Sequence, residues 1–182
     1  MTDGQPVDVT AGGDLDFWSF VRVADHRLRE QGFAHPQATE LLLTLNRASG
    51  IVTYDLEATV HRPRGRSWAS FRLMYVLWLA GPVESGKAAE LSGMSRAAVS
   101  NLTRPLVTEG VLARTSDARD GRAVRLALTA HGRGEIVAAF RLQNEREQAW
   151  SEALSEDERT TLVRLLNKLV AGRDQFDVRG RS

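Results

Sequence analysis

Cysteine is missing from all 182 positions. Disulfides, thiolate metal sites and oxidant sensing through a thiol are thereby excluded. Long apolar runs are missing too. The longest, Leu73–Ala80, falls well short of the ~20 residues that a membrane span needs. The chain opens on acidic and polar residues, not on a basic then apolar leader, so a cytoplasmic location is expected. Histidine is scarce: His26, His35, His61 and His131 stand far apart, without carboxylate-rich metal spacing, so neither metal nor cofactor is expected. Net charge is nearly absent as well, at +1, which alone speaks against a nucleic-acid partner.

Charge itself is plentiful, and it is segregated. Residues 60–125 hold 11 Lys/Arg against 5 Asp/Glu, while the rest of the chain has acidic residues in excess. A basic middle between acidic ends is the footprint of a nucleic-acid-binding module set in a neutral scaffold.

The middle reads from Ser85 to Leu128 as two short helices, a tight turn and a β-hairpin. Ser85 is placed to cap a first helix through Leu91. Ala89 is small enough for a close helix crossing, and Gly93, four residues on, suits the turn. Ser95 then caps a second helix, whose inner face is Val99, Leu102 and Leu106. Its outer face carries Arg96, Ser100, Asn101 and Arg104, side chains able to donate to base edges or phosphates. Pro105 lies inside this helix and removes the N–H that would bond the Asn101 carbonyl, at about 3 kcal/mol in an ordinary interior. Either the helix kinks after Arg104 or the docking of its last turn compensates. Strands are expected over Val111–Thr115 and Ala123–Leu128, the second alternating between its faces. Between them Asp117, Arg119, Asp120 and Arg122 form a charged tip in which carboxylates brace one arginine and leave the other to reach a narrow minor groove.

At this point the sequence resembles the MarR family of bacterial transcriptional regulators. The D-x-R-D-x-R of Asp117–Arg122 resembles that family's wing. Leu128-Thr129-Ala130-His131-Gly132 is similar to its L-T-x-x-G entry into the next helix, and Met94-Ser95-Arg96 to the opening of its recognition helix. The motifs occur in order over roughly residues 67–135. The resemblance implies a mainly α fold with a small β-hairpin: a winged helix-turn-helix between N- and C-terminal dimerisation helices. It implies that Ser95, Arg96, Ser100, Asn101 and Arg104 face the major groove of double-stranded DNA, with Arg119 in the wing and Arg122 as the minor-groove arginine. A homodimer would present its two recognition helices about one DNA turn, ~34–36 Å, apart. An effector pocket is implied as well. Trp18, Trp68, Arg72 and Tyr75 are candidate walls by composition, for an aromatic or anionic small molecule, though each also suits core packing.

The flanks fit this plan. Residues 1–13 read as a disordered tail, 14–62 as N-terminal dimerisation helices, 63–128 as the winged module, 129–174 as C-terminal dimerisation helices and 175–182 as a polar tail. Helices are expected over Leu15–Arg29, from about Gln37 to Val60 behind Pro36, and over Ser67–Ala80, Thr129–Trp150 and Ser155–Val170. Leu41, Leu45, Ala48, Val52 and Leu56 supply one apolar stripe, and Leu162, Leu165, Leu166 and Leu169 another. Arg62, Arg64 and Arg66 form a basic connector, open to phosphates or to solvent alone.

Two other readings compete. Gly81–Ala88 matches the phosphate-cradling G-x-x-x-x-G-K motif but ends on Ala88, where a Ser or Thr must hold Mg²⁺. The chain would otherwise be a helical protein–protein interaction module. No nucleophile–base–orienter set is visible, so an enzyme is not expected.

Overall fold

The computed structural model describes residues 17–116 and 124–172. Seven α-helices and a small sheet follow one another along these residues: α1 (Phe17–Glu30), α2 (Pro36–Leu56), α3 (Trp68–Ala80), β1 (Val83–Glu84), α4 (Ser85–Ser92), α5 (Arg96–Thr108), β2 (Leu112–Ser116), β3 (Val124–Leu128), α6 (Ala130–Ser151) and α7 (Glu156–Ala171). The chain divides into two compact units between Tyr54 and Asp55. The expected mainly helical winged architecture is the one observed.

In the first unit, Val21 of α1 is buried and Ala24 and Leu28 are half-buried, as their shared face requires. Arg47 of α2 lies over the Phe20 ring, 4.6 Å from its centroid, a cation–π contact that screens a half-exposed aromatic. The α2 stripe behaves otherwise than expected. Leu41 and Ala48 are exposed, and Leu45 and Val52 are half-buried. Leu42, Ile51 and Tyr54 also face solvent.

In the second unit α3 is the hub. Its sequence, WASFRLMYVLWLA, is apolar nearly all round, which is what a helix covered on several sides needs. Phe71, Leu73, Met74 and Leu77 are buried and pack with Ala88 and Ala89 of α4, Val99 and Leu106 of α5, Leu112 and Leu126 of the sheet, and Ile136 and Ala139 of α6. Each fully buried large side chain contributes roughly 1.5–3 kcal/mol by leaving water. Ser67 caps α3 by accepting the Ser70 N–H at 3.1 Å.

The hairpin is part of a three-stranded antiparallel sheet ordered β1-β3-β2. Leu112 stands opposite Leu128, and Val83 opposite Leu126. The two-residue β1 is too short to leave an alternation in the sequence. Two further expectations need correction. Ser85 is the first residue of α4 and not its cap; Glu84 holds the cap position and makes no side-chain cap bond. The helix expected to run α-helically to Val60 stops at Leu56 and continues as a π-helical turn, Glu57–His61, then a 3₁₀ turn, Arg62–Arg64. Pro63 supplies no N–H, so the α-helical ladder cannot run through it.

Candidate nucleic-acid interface

The turn between α4 and α5 is built by local chemistry. Gly93 has φ 64°, which a side chain would strain, and its N–H returns to the Glu90 carbonyl. The Met94 N–H returns to the Ala89 carbonyl at 3.0 Å, closing the left-handed helix stop. Arg72 of α3 braces this turn from below, its Nη2 donating to the Ser92 carbonyl. Ser95 then starts α5 by accepting the Ala98 N–H at 3.2 Å.

Helix α5 emerges with one face inside and the other in solvent. Val99, Thr103 and Leu106 are buried; Arg96, Ser100, Asn101 and Arg104 are exposed. Thr103 is satisfied by donating to the Val99 carbonyl at 2.7 Å, so a hydroxyl in the core carries no penalty. The Arg96 side chain lies over the first turn of α4: a Cβ added to Gly86 would sit 3.8 Å from its Nε. Pro105 does not end the helix, which runs on to Thr108. The Asn101 carbonyl that lost its partner belongs to an exposed residue, where water can replace the bond.

The structure thus leaves Ser95 exposed at the N-cap and gathers Arg96, Ser100, Asn101 and Arg104 on the exposed side of α5. Arg119 and Arg122 lie outside the described residues. Arg114 of β2 and Arg125 of β3 are exposed on the hairpin stem and add cations that the sequence reading passed over. Their signal was an arginine in each of two strands that otherwise alternate. Of the candidate pocket residues, Trp18 falls on α1. Trp68 and Tyr75 belong to an aromatic ladder along α3, in which Trp68 and Tyr75 each stack on Phe71, and Tyr75 and Trp78 both meet Phe140 of α6.

The basic connector has a mostly internal use. Arg66 donates from Nε to Glu135 of α6 at 2.5 Å and from Nη1 to Glu109 beyond α5. These carboxylates hold its pKa above the ordinary arginine value. One side chain so ties the start of α3 to α5 and α6. Arg66→Met keeps the stem and removes the three-way tie, and should cost on the order of 2 kcal/mol. Chemical denaturation is the measurement; a midpoint equal to that of the unaltered protein would refute the role.

The phosphate-loop reading fails on geometry. Gly81 closes α3, so a helix and not a strand precedes the motif, and Ala88 is fully buried in the core. Among the described residues no three His, Asp or Glu side chains are grouped to hold a metal, and no helix is long and apolar enough to cross a membrane.

Residues 67–124 match the model of the MarR family. The chain is 29% identical over 133 residues to the uncharacterized HTH-type transcriptional regulator YwaE of Bacillus subtilis (strain 168), covering 73% of this chain and 78% of that one. Its fold is similar to that of Bordetella bronchiseptica BpsR, whose DNA binding is regulated by 6-hydroxynicotinic acid. That match has a TM-score of 0.63 and 23% identity, over 69% of this chain and 89% of the other. A Mycobacterium tuberculosis MarR family protein, Rv2887, solved in complex with salicylic acid, matches with a TM-score of 0.59 and 22% identity, over 71% and 95% of the two chains.

Proposed function

We propose, from the match of residues 67–124 to the MarR family model, that this chain is a MarR-type regulator, acting on transcription in the cytoplasm by gripping near-palindromic double-stranded DNA as a homodimer. The observation that carries the proposal is the two-sidedness of α5. Its inner side is locked into the core, and its outer side offers two guanidiniums, an amide and a hydroxyl within nine residues. Arg and Asn are the side chains that make paired hydrogen bonds to guanine and adenine edges. In this reading Arg119 and Arg122 clamp the flanking minor groove, and binding, not catalysis, is the molecule's task.

The test is a gel-shift series on fragments selected from genomic DNA by the full-length protein. Asn101→Ala should cost about 1–3 kcal/mol and relax the preference at one base position. Arg122→Ala should weaken all sequences alike and reduce the salt slope by about 1. If both variants bind as tightly as the parent, α5 and the wing are not the contact surface.

We also infer an aromatic acid as the effector, because the structural relatives named above respond to, or are bound by, such acids. Trp68 and Tyr75 would offer ring faces to it and Arg72 a counter-charge. Salicylic acid is the probe: it should release the selected DNA, and Trp68→Ala should blunt that release.

A further inference from the structure

Apart from the exposed side of α5, the second unit holds a buried polar pair. His61 ends the π-helical turn and is fully buried. Its ring stacks on Phe71, centroids 4.2 Å apart, and meets Trp68 at 5.6 Å. Its Nε2 lies 3.0 Å from Oε1 of Gln143, a buried residue of α6. The Gln143 amide N–H in turn donates to Glu147 at 2.7 Å. With the amide so oriented, Oε1 is an acceptor, and the imidazole proton belongs on Nε2. Nδ1 is then a bare acceptor, buried without a hydrogen-bond partner.

A second tie joins the same two stretches. Asp55 accepts Nε and Nη2 of Arg146, each at 2.7 Å, and the indole N–H of Trp150, also at 2.7 Å. The last turn of α2 and its π-helical extension are therefore fastened to α6 at two points. Single π turns are rare and recur at functional positions.

We propose that His61 and Gln143 form a latch released by a proton, while the Asp55–Arg146–Trp150 clamp persists as its hinge. A proton can enter only at Nδ1, where it creates a buried N–H with no acceptor. The charged ring would lie against Phe71 and Trp68, neither of which offers a hydrogen-bond acceptor to the new N–H. The charged groups nearest the ring are mixed: Glu57 on its own turn and Glu147 behind Gln143 favour the cation, and Arg64 opposes it. Arg66 and Arg146 are engaged with their own carboxylates, and Arg72 with the Ser92 carbonyl. Burial outweighs the rest and holds the His61 pKa below its ordinary range. Asp55 titrates only at about 2, because Arg146 and Trp150 donate to it.

The sign follows. The unfolded chain takes up the proton near pH 6.5, before the folded one does. The stability that the neutral ring contributes is intact above that pH. It is lost as the pH falls through the lower folded value, and the clamp keeps its charge throughout.

Thermal unfolding of the full-length protein, followed from about pH 8 to pH 5, tests this. The midpoint should fall by about 5 °C below pH 6.5. His61→Phe, which keeps a stacked ring and cannot titrate, should lose most of that fall. Gln143→Glu faces the ring with a carboxylate and should abolish the fall or reverse it. Asp55→Asn should lower the midpoint at every pH and leave the fall in place. A flat profile in the parent, or a full acid fall retained in His61→Phe, overturns the proposal. Should His61→Phe not fold, an unchanged fall in Gln143→Glu does the same, as does loss of the fall in Asp55→Asn.

Discussion

Replacing Gly132 with alanine is expected to destabilise the protein by about 3 kcal/mol, the upper range for overpacking, and to lower its melting midpoint by about 10 °C. Gly132 is buried in the first turn of α6, and a Cβ there would overlap the carbonyl of Val111, backbone that cannot swing aside. The turn is held against that carbonyl from several directions. Thr129 caps α6 by accepting the Gly132 N–H at 3.0 Å, its own N–H bonds the Val111 carbonyl at 3.0 Å, and its hydroxyl donates to the Gly110 carbonyl at 2.6 Å. This contact explains the Leu128–Gly132 motif: the threonine starts the helix and the glycine lets it lie on the start of the wing. The control is two residues away. Gly134 is in the same helix, and a Cβ there would meet nothing within 4 Å. Gly134→Ala should therefore be neutral or stabilise by up to ~1 kcal/mol through helix propensity. Equal midpoints for the two variants would show that the Val111 contact does not limit the fold.

The second large effect is expected at α7. Its leucines were placed in the sequence as a packing stripe, yet no residue of the helix is buried. Leu162, Val163, Leu165, Leu169 and Val170 are each between 43% and 58% exposed. Under the homodimer proposal, this aligned apolar surface is where the second copy is expected to sit. Leu165→Asp combined with Leu169→Asp should then yield a monomer by sedimentation. Its DNA affinity should fall about a hundredfold or more, because two linked half-sites bind far more tightly than one. The variant should keep its folded winged unit, whose core contains none of these side chains. A dimer that survives both charges would place the subunit interface elsewhere.

Much of this was legible in the residues. Most caps read well because their chemistry is local: Ser67, Ser95, Thr129 and Ser155 each accept the N–H three residues on, whereas Ser85 caps nothing. The two faces of α5 read well because helical period alone separates Val99 and Leu106 from Asn101 and Arg104. What depended on distant partners did not show. Nothing near Arg66 in sequence announces Glu135, 69 positions away, and nothing near Asp55 announces Trp150. His61 looked like any scattered histidine; only the fold brings it to Gln143. The α2 stripe misled for a related reason. Periodicity marks the side of a helix that wants cover, and it cannot tell whether the cover is there: Leu41 and Ala48 of that side are exposed.

The ends of α5 carry a last consequence. Ser95 opens the helix, and the returning N–H of Val111 to the Leu106 carbonyl closes it at 13 residues. Its outward side chains from Arg96 to Arg104 are eight steps of ~1.5 Å apart, or ~12 Å, which on a duplex rising ~3.4 Å per base spans about four base pairs. Under the homodimer proposal, each subunit would spell out only a very short word with this helix. Any longer preference within one half-site would then be written in groove width and bendability, and not in the alphabet of base edges.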